Sequence, residues 1–112
     1  MINCCNNLNR SQSTSERLTE DTVTTVTVGT SATVVLTANV ARRLVKIYLN
    51  SSSNPSAETW IRYGAGATST NAAHILPFRH LVVVDSGQAA NAISAVCTSG
   101  TAQLRVSVAN AL

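Results

Sequence analysis

The sequence predicts an all-β domain: an antiparallel β-sandwich of about eight short strands, with a small barrel as second choice and an extended N-terminal arm. Three observations carry this. Val and Thr dominate the alternating stretches, and β-branched side chains suit a pleated surface. Runs of period two recur between turn signals along most of the chain, at the spacing sandwiches and barrels use. No stretch carries helical periodicity of useful length. With 112 residues the chain makes one domain with a modest core.

Residues 1–21 stand apart from residues 22–112. From Asn6 to Asp21 the only apolar residues are Leu8 and Leu18, too few to order the segment alone. One reading is a frayed terminus. The other is an arm that orders on a neighbouring subunit, with Ile2, Leu8 and Leu18 as anchors and Arg10 and Arg17 as polar contacts. Ser13 and Glu16 have capping-box spacing for one helical turn. Adjacent Cys4 and Cys5 seldom bridge each other, because the peptide between them must distort. Free thiols, an intersubunit disulfide and half a metal site stay open for them, although no second pair or nearby His completes a zinc pattern.

From Thr22 the chain alternates. Thr22–Val28 does so apart from the doubled Thr24-Thr25, which suggests a bulge or a strand that changes sheet. After Gly29-Thr30-Ser31, a second strand shares one face among Ala32, Val34, Leu36 and Ala38. Asn39–Arg43 reads as a loop or crossing. In the next strand Val45, Ile47 and Leu49 point inward and Lys46 and Tyr48 outward. Ser51–Ser56 is a loop containing Asn54-Pro55. Thr59, Ile61 and Tyr63 oppose Trp60 and Arg62 on the following strand. Gly64–Asn71 is a flexible connection; no Lys-Ser/Thr pair and no helix follows, so it is no phosphate loop. Ala73–Leu76 forms a short strand, Pro77 a break, Phe78–Val84 a longer strand, and Asp85–Gln88 a turn.

The end reads as a hairpin. A two-residue turn at Ser99-Gly100, with Gly supplying positive φ, sets Cys97 opposite Ala102, Ala95 opposite Leu104 and Ile93 opposite Val106. That register collects six apolar residues on one face, which makes Cys97 a core thiol.

Composition excludes several function classes. A net charge of +3, from seven Arg and one Lys, is too small and scattered for a nucleic-acid footprint. No segment nears the roughly 18 apolar residues that span a bilayer, and the opening Met1–Asn7 has neither a basic start nor an apolar run, so synthesis in a cytoplasm is expected. His74 and His80 lack a third metal ligand, Glu58 lacks a second carboxylate, and Ser94 and Ser107 lack a base. No enzyme, metal or cofactor is expected. Ser and Thr supply about a quarter of the residues and charged residues 12%, which suits a surface that neighbours cover at little desolvation cost. Tyr48, Trp60 and Arg62 are the contact-type side chains on strands.

The order Val26-Thr27-Val28-Gly29, Ala32–Asn39, Arg42–Asn50, Thr59–Gly64, Ala65–Thr68, Ala92–Cys97 and Ser99–Ala102 resembles small β-sandwich virion proteins of tailed bacteriophages, over approximately residues 26–108. The resemblance implies a capsid cement (decoration) protein made in the bacterial host's cytoplasm. It would bind the major capsid protein on the outer shell surface and bridge capsomers as a homodimer or homotrimer. A tail or head-fibre adhesion module binding glycans is the alternative, for which Tyr48, Trp60 and Tyr63 would share one surface; a tail connector is a further one.

Overall fold

In the computed structural model, which describes residues 17–112, eight strands follow in chain order. They are β1 (Thr22–Val28), β2 (Thr33–Leu36), β3 (Arg42–Ser52), β4 (Thr59–Tyr63), β5 (His74–Leu76), β6 (Leu81–Asp85), β7 (Ile93–Cys97) and β8 (Ala102–Asn110). A one-turn helix α1 (Ser86–Ala89) lies between β6 and β7. All strand pairs are antiparallel.

Two four-stranded sheets form the sandwich, in the orders β1-β8-β3-β6 and β2-β7-β4-β5. First and last strands are neighbours, as are second and seventh, third and sixth, fourth and fifth. The chain is thus a long hairpin rolled up on itself, the winding of a jelly roll. Inward side chains of both sheets meet in one apolar core, with Val45, Ile47, Leu49, Leu104 and Val106 from the first sheet and Ile61, Ile93, Ala95 and Cys97 from the second. The expected inward faces of β3 and β4 stand as read.

The jelly roll corrects the expected final hairpin. β7 and β8 do not pair. Cys97, Ala95 and Ile93 pair with Thr59, Ile61 and Tyr63 of β4, while Ala102, Leu104 and Val106 pair with β1 and β3. The six residues expected on one face are all buried, but they belong to opposing sheets. Alternation fixes which side of a strand is apolar; it does not say whether the matching apolar side lies beside it or across the core. Gly100 does have positive φ, at 68°. An added Cβ there would also collide with the Ser53 hydroxyl, which accepts from the Thr101 amide at 2.8 Å.

Other local expectations shift too. β1 pairs with β8 in unbroken register from Thr22–Val108 to Val28–Ala102, so no bulge falls at Thr24-Thr25. On β2 the inward residue is Val35, at 7% exposure, while Val34 is 60% exposed; a register shift between Val34 and Leu36 breaks the alternation. Arg42 and Arg43 open β3 instead of lying in a loop. β6 starts only at Leu81, after a bend in which Arg79 has φ 64°. Asp85 precedes α1 without a side-chain capping bond, so the turn expected there is a helical turn held from elsewhere. Its anchor is Arg42, only 4% exposed. The guanidinium donates to the Ala89 carbonyl at 2.6 Å and the Asn91 carbonyl at 2.7 Å, and burial lowers its pKa.

Candidate functional site

Among the described residues both sheets are open, and their four edges are β1, β6, β2 and β5. None of these strands contains Lys, Arg or Glu, and the one formal charge among them is Asp85 at the end of β6; charged side chains are what commonly guards an edge against pairing. Each instead carries a large apolar side chain more than half exposed: Val23 on β1, Val34 on β2, Ile75 on β5, and both Leu81 and Val83 on β6. On the first sheet's outer face, Tyr48 sits beside Leu81 on one side and Arg105 on the other, and Lys46 sits beside Val83 and Ser107. The result is a mixed apolar and cationic face ending at a free edge. Only the consecutive valines, Val34-Val35 and Val82-Val83-Val84, signal in sequence that apolar residues exceed what one buried face can take.

The predicted contact residues do not converge. Ile2, Leu8 and Arg10, with Cys4 and Cys5, lie outside the described residues. Leu18 bridges Ala111 of its own chain and is 37% exposed. The Arg17 carbonyl accepts from the Leu112 amide at 3.1 Å, and Thr19 exchanges two bonds with Asn110, its amide donating at 2.9 Å and its hydroxyl accepting at 3.0 Å. Residues 17–19 therefore extend the first sheet at the end of β8. Tyr48 and Trp60 lie on the outer faces of different sheets, so they share no surface. Arg62 is tied to its own loop, donating to the carbonyls of Ala65 at 3.0 Å and Asn71 at 3.3 Å. Tyr63 packs against the core and its hydroxyl bonds His74 Nε2; burial first, and then the charge of Asp85, raises its pKa.

Trp60 borders a groove of about 630 Å³ on the second sheet's outer face. Its floor is Trp60 and Val96, cross-strand partners, and its walls are Thr30–Ala32 and Gly66–Ser69, with Thr98 at one end. Loops distant in sequence build it, which is why no motif marks it. His80 Nδ1 lies 3.1 Å from the Phe78 carbonyl. No group of three His, Cys, Asp or Glu among the described residues could hold a metal ion, and no described helix is long and apolar enough to cross a membrane. The Cys97 thiol is 3% exposed and points to the Ser99 carbonyl.

The described residues form an eight-stranded jelly roll. No family model and no curated protein matches the chain. Among solved structures it is similar to a chain described under "Bacillus endospore appendages form a novel family of disulfide-linked pili". That likeness covers 96% of this chain and 99% of the other, with a TM-score of 0.53 and 12% identity. At such identity it establishes a shared fold.

Proposed function

We propose that this chain is a non-catalytic structural subunit that assembles with copies of itself into a fibrous appendage. The observation carrying this reading is the set of four edges among the described residues, none with Lys, Arg or Glu and each flanked by an exposed apolar side chain. A free strand offers a second copy a row of backbone donors and acceptors, and adjacent apolar residues add area to the contact. Two different edges meeting head to tail give a heterologous contact, which need not close and so builds filaments. Likeness in fold to a disulfide-linked pilus subunit supports it. Cys97 is shut in the core, so linkage between copies falls to Cys4 and Cys5. Two thiols there would join with loss of two protons and two electrons to an oxidising disulfide.

The test is purified full-length chain under oxidising conditions, followed by negative-stain microscopy and by gels with and without reductant. Filaments, and a ladder of bands that reductant collapses and Cys4→Ser/Cys5→Ser abolishes, are the expected result. A chain that stays monomeric at high concentration would overturn the reading.

A second reading, capsid cement on a phage shell, draws on the strand and turn order over residues 26–108. It predicts binding to assembled shells of a major capsid protein, with the subunit on their outer surface in electron micrographs and no filaments of the subunit alone.

A further inference from the structure

The Trp60 groove is chemically unlike the rest of the surface. None of its lining residues carries a formal charge. The Trp60 indole nitrogen is closed off from solvent without a hydrogen-bond partner, so what the half-buried ring shows the groove is carbon. Around it stand the hydroxyls of Thr30, Ser31 and Ser69, all on exposed loop residues. None of the three hydroxyls makes a hydrogen bond among the described residues, whereas the neighbouring Thr98 hydroxyl already accepts from the Glu58 amide at 3.0 Å.

Beneath the groove, β7 is paired on both sides, by β2 and β4, and β4 by β7 and β5. The floor therefore offers no free backbone ladder, and an extended peptide laid there could not be held as an added strand. What remains is an apolar ring face, free hydroxyls able both to donate and to accept, and no charge to satisfy. Those features complement a neutral polyhydroxylated ring whose C–H face packs on an aromatic. Charged ligands would lose hydration there without gaining a partner.

We infer that the Trp60 groove is a binding site for neutral saccharides, with the sugar ring packed on Trp60 and its hydroxyls bonded by Thr30, Ser31 and Ser69. This goes beyond assembly and uses the outer face of the second sheet, leaving every sheet edge free. It would give a subunit a means of holding a carbohydrate surface.

Trp60 is the single tryptophan of the chain, so its own emission reports on the groove. The full-length protein is titrated with cellotriose, chitotriose and mannotriose, with an anionic oligosaccharide and with a synthetic peptide of residues 1–16. The expected result is a saturable change in emission with at least one neutral trisaccharide, at a Kd of about 1 mM or tighter. Thr30→Val/Ser69→Ala, at exposed positions where the fold does not depend on the side chain, should weaken it about tenfold. No saturable response to any of the three neutral sugars overturns the inference, as does an affinity unchanged in the double variant. Stronger binding of the anionic sugar overturns the neutral assignment. Saturation by the peptide alone overturns it too, and gives the groove to the arm of another copy.

Discussion

Gly100 and Tyr63 show how single residues fix the ends of this sandwich. Gly100 is constrained twice: its φ of 68° is costly for any residue with a Cβ, and that Cβ would strike Ser53. Gly100→Ala should therefore cost about 2 kcal/mol or more, measured by urea unfolding. Adding Ser53→Ala should recover the steric share, less about 1 kcal/mol for the bond its hydroxyl accepts from the Thr101 amide, and leave the backbone share. The positive φ was legible in the sequence, but the clash was not, because Ser53 is 47 positions away and meets Gly100 only when β3 pairs with β8. Tyr63 gives a prediction in pH. Its phenol is raised above the ordinary value of 10.0 by burial and by Asp85, so above that pH folded chains keep the proton that unfolded chains release. Stability should fall as pH rises past about 10 and level off once the folded phenol ionises. Tyr63→Phe loses the bond to His74, about 1 kcal/mol at neutral pH. Melting curves taken between about pH 8 and 11 should show that deficit shrinking toward the alkaline end. A constant deficit would mean Tyr63 does not titrate differently in the fold.

Elements decide what the protein can meet. β3 and β8 are the central strands of the first sheet, paired on both sides, and their alternation was readable because Val45, Ile47 and Leu49 on one and Ala102, Leu104 and Val106 on the other are successive inward apolar residues. β2, β5 and β6 are short edges, and there the reading slipped: Val34 against Val35, and the late start of β6 at Leu81. Edge strands have one neighbour and tolerate register shifts and bulges, so alternation binds them less tightly. Val83→Lys puts a charge in the middle of β6 on the outer face. Because the new charge faces Lys46, stability should fall by about 0.2–1 kcal/mol, while filament formation, followed by light scattering and microscopy, should be lost. Unchanged assembly would exclude β6 as a contact edge and leave β1, β2 and β5. The eight-strand count needed only turn signals and period two.

At the scale of the whole molecule the winding matters most. Wrapping the hairpin into a jelly roll places β7 and β8 in opposite sheets, so the apolar faces of the C-terminal strands pack through the core. It also brings both ends of the domain together, where residues 17–19 bond to the end of β8. The folded domain thus reaches beyond the expected start at residue 22, and two truncations separate the alternatives. Beginning the chain at Arg17 should leave the unfolding midpoint in urea unchanged. Beginning it at Thr22 removes three hydrogen bonds to the C-terminal segment and should cost about 1–3 kcal/mol. By itself the sequence determined the β class, the number of strands and the inward residues of the long strands, because these follow from local alternation and turn chemistry. Only the tertiary structure decided which strands are neighbours, which edges stay open and that distant loops enclose Trp60. Those depend on how faces of equal hydrophobicity are paired, and local patterning leaves that choice open.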